Sequence, residues 1–190
     1  MNQKIFFTSD THFNHANVIK YCDRPFASVE EMNREMIARW NAVVGPEDTV
    51  YHLGDFAMGK SSEWPNFLRQ LNGAKKILIL GNHDRSPKQM LEGGFNEVHE
   101  KLEWNGWLLQ HHPIATNRKL LCGHIHEKWT RIGRVINVGV DVWDFTPRTI
   151  GELEKAPESQ REFKCRYCGV LLKHLGDNSG HRDAQCVKGR

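Results

Sequence analysis

Between residues 77 and 80 the chain reads Ile-Leu-Ile-Leu with no polar position, then breaks at once into Gly81-Asn82-His83-Asp84. An apolar run without alternation predicts a strand buried on both faces, covered by helices in a largely parallel sheet. Strands of that kind present reactive residues at their carboxyl ends, and Gly81 lets the backbone turn sharply at this one. The same pattern recurs. Residues 4–9 predict a first strand closing on Asp10-Thr11-His12, and residues 49–53 a second closing on Gly54-Asp55. Residues 120–122 close on Gly123-His124-Ile125-His126. Residues 98–104 and 107–110 flank Asn105-Gly106, the strongest two-residue hairpin signal, and the second arm runs into His111-His112-Pro113. Residues 135–142 predict a further strand, with Gly139 where another backbone can come close.

Helical periodicity is clearest at Val29, Met32, Met36, Ile37 and Trp40, spaced by three and four. Ser28 followed by Glu31 is a capping box that starts this helix, and Gly45-Pro46 lies beyond its end. Shorter helices are predicted over residues 16–21, 63–71 and 87–91. A second capping box, Thr149-Ile150-Gly151-Glu152, opens a helix that fades by Pro157. Residues 158–164 are charged and carry no apolar period, so one domain is expected over 1–157 and a linker and tail over 158–190.

Composition narrows the class. At 190 residues and 39% hydrophobic positions the chain can bury one good core. No apolar run nears the roughly 20 residues of a membrane span, and the first residues have no signal-peptide pattern, so the expectation is a cytoplasmic protein without a membrane partner. The oligomeric state is left open. The net charge of +3 is too small to argue for nucleic acid by itself. The eleven His and five Cys are more telling. Cys165, Cys168 and Cys186 crowd into the tail, which in a cytosolic chain favours metal over disulfides.

Asp10 and His12 lie one residue apart, as do His124 and His126, and an extended backbone would put each pair on one face. Together the strand ends supply Asp10, His12, Asp55, Asn82, His83, His111, His124 and His126, more donors than a single metal can use. Two metals about 3.5 to 4 Å apart could use them if one carboxylate bridged, the arrangement that clamps the attacking and leaving oxygens of a phosphoryl transfer. Asp55, isolated between paired motifs, is the natural bridge. Asp84, beside His83, is placed to fix its tautomer. Arg24 and Arg85 are candidates for a phosphate clamp, because a guanidinium matches two phosphate oxygens at once. Asn14 and His15 are candidates to line the pocket mouth. His112 is expected to point away.

In this order, Asp10-x-His12, Gly54-Asp55, Gly81-Asn82-His83-Asp84, His111-x-Pro113 and Gly123-His124-x-His126 resemble the calcineurin-like metallophosphoesterases, specifically their small bacterial and phage-type members. The likeness covers residues 4–154. It implies an α/β fold (α+β by some schemes) of two mixed sheets sandwiched between helices in four layers. It further implies one divalent cation held by Asp10, His12, Asp55 and His126, and a second by Asp55, Asn82, His111 and His124. His83, paired with Asp84, would bind no metal and would face the leaving-group oxygen and the phosphoryl group. The implied activity is hydrolysis of a phosphodiester or phosphomonoester, in a nucleotide or nucleic acid, by in-line attack of a metal-bridging hydroxide. Manganese is the first expectation for the cations, and the mixed donor set also accepts iron, zinc or nickel. The alternative is a zinc-tailed binding protein on a phosphoesterase scaffold with secondary or lost catalysis, which the filled ligand positions argue against.

The tail departs from that pattern. Cys165, Cys168, His181 and Cys186 form the ligand set of a structural Cys3His zinc site, with His174 as a competing ligand. So short a segment has too little apolar content to fold without such a staple. Zinc knuckles of this kind contact nucleic acid, which makes the tail the expected docking place for such a partner.

Overall fold

The structure is a computed structural model that describes residues 3–59 and 63–159 and, in backbone only, 161–164 and 171–174. The chain starts with β1 (Ile5–Thr8), α1 (Ala16–Tyr21), α2 (Val29–Val43), β2 (Thr49–His52), α3 (Trp64–Gln70), β3 (Lys75–Ile79), α4 (Pro87–Glu92) and β4 (Glu97–His99). Every crossover between these strands carries helix, so the four strands lie parallel in chain order, β1-β2-β3-β4. The helices bury their apolar stripes on one face of this sheet. In α2 the stripe is Met32, Met36 and Trp40, which join Phe6, Val50 and Leu78 in one core. Ser28 caps α2 by accepting the Glu31 N–H at 3.2 Å. The Glu31 carboxylate reaches one residue further back than expected, to the N–H of Ala27 at 2.7 Å.

The second sheet takes β5 (Lys101–Trp104), β6 (Trp107–Gln110), β7 (Lys119–Cys122), β8 (Arg131–Ile132) and β9 (Val135–Asn137), in the order β5-β6-β7-β9-β8. Its inner strands are parallel and its two edges antiparallel. A 3₁₀ turn at Val140–Val142 then leads to β10 (Arg148–Thr149), which returns to the first sheet antiparallel to β1, and to α5 (Ile150–Leu153). Phe7, Leu53 and Ile79 on the first sheet meet Trp107, Leu109, Leu121 and Ile136 on the second, forming the core between them. The fold is therefore two mixed sheets packed face to face with helices.

Three local expectations change. Of the run at residues 77–80, Ile77, Leu78 and Ile79 are buried as expected and Leu80 is half-buried; Leu78 and Leu80 pack on the helix side, while Ile79 faces the second sheet rather than a second helix layer. The strand expected over 98–104 divides at Glu100, with β4 in the first sheet and β5 in the second, because the chain crosses between sheets there. The strand expected over 135–142 stops at Asn137. Its side-chain amide donates to the carbonyls of His126 and Trp129 at 2.7 and 2.9 Å, and the chain then turns in beside Ser9, which bridges to Gly139. The hairpin at Asn105-Gly106 forms with φ of 44° and 79°, both in the left-handed region that a two-residue type I′ turn requires.

Beyond α5 the chain stays attached as far as Ser159, whose Oγ accepts the N–H groups of Thr130 and Arg131 at 2.9 and 3.2 Å. β11 (Arg161–Lys164) and β12 (Leu171–His174) pair antiparallel as a small sheet of their own. The tail residues Cys165, Cys168, His181 and Cys186 lie outside the described residues. Among those described, no helix is long and apolar enough to cross a membrane.

Candidate metal centre

Both parallel stretches of sheet direct their carboxyl ends to one place. Asp10 follows β1, Asp55 follows β2, Asn82 and His83 follow β3, His111 follows β6, and His124 and His126 follow β7. The one-apart pairs are not extended, contrary to expectation. Asp10, His12, Asp55, His124 and His126 all have φ between 48° and 72°, in the left-handed region that residues with a Cβ seldom occupy. Such strain persists where the surroundings impose it, and it clusters at functional sites. The turns also need close approach. A Cβ on Gly81 would fall on the Asp55 carboxylate, and one on Gly123 would fall on Ser9 Oγ and the Asp10 carboxylate.

Asp55 sits at the middle. Its Oδ2 lies 3.5 Å from His12 Nε2 and 3.4 Å from His111 Nε2. On one side, donor atoms of Asp10, His12 and His126 lie within 4.8 Å of one another, and Asp10, Asp55 and His111 form an overlapping group of the same reach. On the other side, Asn82 Oδ1 lies 3.1 Å from His111 Nε2 and 3.0 Å from His124 Nδ1. His111 Nδ1 donates to the carbonyl of Leu53 at 2.7 Å, which leaves Nε2 with its lone pair toward the site. Asp10 is held by the His124 N–H, at 3.0 and 3.1 Å from its two oxygens.

These groups fit divalent cations. Asp10 is fully buried, and burial pushes its carboxyl up to about 6. Burial likewise pushes His12 down to about 3, and neither of its ring nitrogens has a hydrogen-bond partner. A buried anion and an unpartnered buried imidazole are both costly, and one cation between them relieves both. Burial would raise Asp55 too, but the hydrogen bond and charge of His111, the His83 N–H and the charge of His12 outweigh it and hold the carboxyl below the usual range.

Other expected residues occupy different roles. Asp84 does not pair with the His83 ring; its carboxylate accepts the main-chain N–H groups of Gly81, Asp55 and Phe56 at 2.8, 2.9 and 3.0 Å, locking the loops after β2 and β3 together. His83 donates its own N–H to Asp55 Oδ1 at 2.9 Å, and its exposed ring stands 5.5 Å from that of His12. Arg24 cannot clamp a phosphate, because its side chain is fully buried and its guanidinium donates to Asp141 and to the carbonyls of Asp10 and Thr11. His112 does not turn away, since its ring centre lies 4.2 Å from that of His124. His15 packs beside His12 at 5.3 Å, while Asn14 is tied to Glu63 and Asn33. Arg85 is exposed after the Gly81-Asn82-His83-Asp84 turn.

Sequence reasoning passed over two buried polar residues. His52 lies within β2 and contacts Thr11 Oγ1 through Nε2 at 3.0 Å. Asp141 contacts His126 Nδ1 at 2.8 Å. An acid inside Val140-Asp141-Val142 was the available signal. Cys22 also comes within 4.8 Å of donor atoms of His126 and Asp141, but Arg24 already balances the charge of Asp141 there.

The two-sheet sandwich, with carboxylate, amide and imidazole donors gathered at its strand ends, is of the metallophosphoesterase class. The chain belongs to the calcineurin-like phosphoesterase family, whose model matches residues 3–180. It is 37% identical over 172 residues to an uncharacterized protein of Methanocaldococcus jannaschii, covering 82% of this chain and 92% of that one. It is 29% identical over 187 residues to the Gene 66 protein of Mycobacterium phage D29, covering 75% and 91% respectively. The crystal structure of a protein of unknown function from Aquifex aeolicus superimposes with a TM-score of 0.66 at 30% identity, covering 81% of this chain and 99% of that one.

Proposed function

We propose that the protein is a two-metal phosphoesterase acting on a phosphodiester or phosphomonoester of a nucleotide or nucleic acid. The observation that carries this reading is the central placing of Asp55, whose Oδ2 lies within 3.5 Å of an imidazole from each ligand set. Asp10, His12, Asp55 and His126 would hold one cation, and Asp55, Asn82, His111 and His124 the other. When bound, the pair of cations supplies Lewis acidity and lowers the pKa of water at the site. Manganese fits the donor set, as do iron, zinc and nickel.

The chain's own residues do the rest. His83, anchored through its N–H to Asp55 and exposed beside the ligands, delivers a proton to the leaving-group oxygen. Arg85, exposed after the same turn, contacts phosphate oxygens, and His15 borders the mouth. Asp84 keeps the turn closed so that His83 and Asn82 hold their places. Cys165, Cys168, His181 and Cys186 bind a structural zinc, and this tail docks nucleic acid. The protein acts in the cytoplasm.

The test is to strip the protein with a chelator, restore Mn²⁺, and follow bis-p-nitrophenyl phosphate and p-nitrophenyl phosphate side by side. Hydrolysis should vanish on stripping and return with the cation, and the faster ester identifies a diesterase or a monoesterase. Failure to cleave either ester with Mn²⁺, Fe²⁺, Zn²⁺ or Ni²⁺ contradicts the reading.

A further inference from the structure

Asp141 belongs to no ligand motif and sits in the 3₁₀ turn that follows β9. Its carboxylate is 2% exposed and accepts three hydrogen bonds. Arg24 Nε donates to Oδ1 at 2.7 Å, Arg24 Nη2 to Oδ2 at 3.0 Å, and His126 Nδ1 meets the same Oδ2 at 2.8 Å. Arg24 uses its other donors on the carbonyls of Asp10 and Thr11, at 2.7 and 3.0 Å. One guanidinium therefore ties the end of β1 to the carboxylate that meets His126.

We propose that Arg24 and Asp141 are a positioning pair that fixes His126 with its proton on Nδ1 and its Nε2 lone pair turned to the cation site of Asp10 and His12. The inference rests on the proposed reading that this centre binds divalent cations. The chemistry of the donors requires the assignment. An arginine fork offers only N–H groups, so both oxygens of Asp141 must be acceptors toward it. A carboxylate oxygen has no proton to give His126, so the imidazole must donate from Nδ1. The other nitrogen, which faces Asp10 Oδ1 at 4.0 Å, then offers its lone pair when a cation displaces any proton from it. A carboxylate behind a metal-binding imidazole fixes its tautomer and raises its basicity. Arg24 adds a second function here, because it holds Asp141 against rotation and also fixes the backbone that carries Asp10.

Asparagine at position 141 separates this role from simple packing. It keeps the volume but replaces one oxygen by an NH₂ group. Set toward Arg24 Nε, that group opposes a donor with a donor. Set toward His126, it donates to Nδ1 and moves the ring proton to Nε2, where it blocks the cation. Either arrangement costs metal affinity at one site.

The experiment is a calorimetric Mn²⁺ titration of the metal-stripped full chain, wild type against Asp141→Asn, with Tm recorded for both. One of the two sites should weaken roughly 10- to 100-fold, the usual effect of removing such an outer partner, while the other keeps its affinity. A loss that was merely structural would weaken both sites together, and that result, or no loss at all, overturns the proposal. Nitrogen NMR of histidine-labelled, Zn²⁺-loaded wild type should show the His126 proton on Nδ1, and a proton on Nε2 overturns it without any variant. Should Asp141→Asn fail to fold, Arg24→Met combined with Asp141→Asn leaves no buried charge unbalanced and should show the same one-site loss; full affinity in that pair is contrary to the proposal. A wild type that binds both cations but cleaves no ester contradicts the proposed function and leaves the positioning pair standing. Ester hydrolysis with unchanged metal affinity in Asp141→Asn does the reverse, and a wild type that binds no cation overturns both.

Discussion

His83 stands apart from the ligands it adjoins, because its backbone is held by Asp55 while its ring is exposed. His83→Ala should therefore retain both cations and lose turnover by roughly 10²- to 10⁴-fold, the usual contribution of a side chain that transfers a proton. Metal analysis alongside kcat checks this, and loss of a cation would make His83 a ligand instead. The donor residues were legible in the sequence because each interrupts an apolar run at a strand end, where Asp10, Asp55, Asn82 and His111 stand out against their neighbours. Their partners were not. Arg24 looked like a phosphate clamp, yet it is buried against Asp141, a residue 117 positions away. Asp84 looked like the partner of the adjacent His83, yet three main-chain N–H groups claim its carboxylate. Such pairings are decided by which loops meet, and no local pattern encodes that.

At the scale of elements, β2 carries a titratable group inside the sheet. His52 is 1% exposed, and burial lowers it from 6.5 to about 3. Its folded pKa lies below its unfolded one, so the unfolded chain takes up the proton first as the solution is acidified. Stability should then fall as pH drops through 6.5 toward about 3. His52→Gln should give a shallower decline over that window in urea midpoints measured against pH, and an identical slope in the two proteins would place the titrating group elsewhere. The elements themselves were mostly legible, since period and caps mark α2 and Asn105-Gly106 marks the hairpin. The misreadings share one cause. The apolar patterns at 98–104 and 135–142 each continue through a point where the backbone changes partner, at Glu100 between sheets and at Asn137 where a side chain draws the chain into a turn.

At the scale of the whole molecule, two sheets enclose one core and bring five strand ends together, while Ser159 is the last described residue tied to the body by its side chain. Deleting residues 160–190 should leave hydrolysis of a small chromogenic ester largely intact and remove one zinc from the metal content. Loss of activity on that ester would show instead that the tail belongs with the catalytic body. If the tail docks nucleic acid, the deletion should weaken activity on oligonucleotides selectively, by a margin that shrinks as salt rises. The meeting of the strand ends is the central claim, and Asp55 is where it is most exposed to test. Mn²⁺ titration of metal-stripped wild type and Asp55→Asn, with bis-p-nitrophenyl phosphate hydrolysis followed at each step, measures it directly. Two Mn²⁺ per wild-type chain, with Asp55→Asn losing both metal affinity and orders of magnitude in rate, is the expected result. Wild-type turnover and full metal content in Asp55→Asn would contradict the two-metal account.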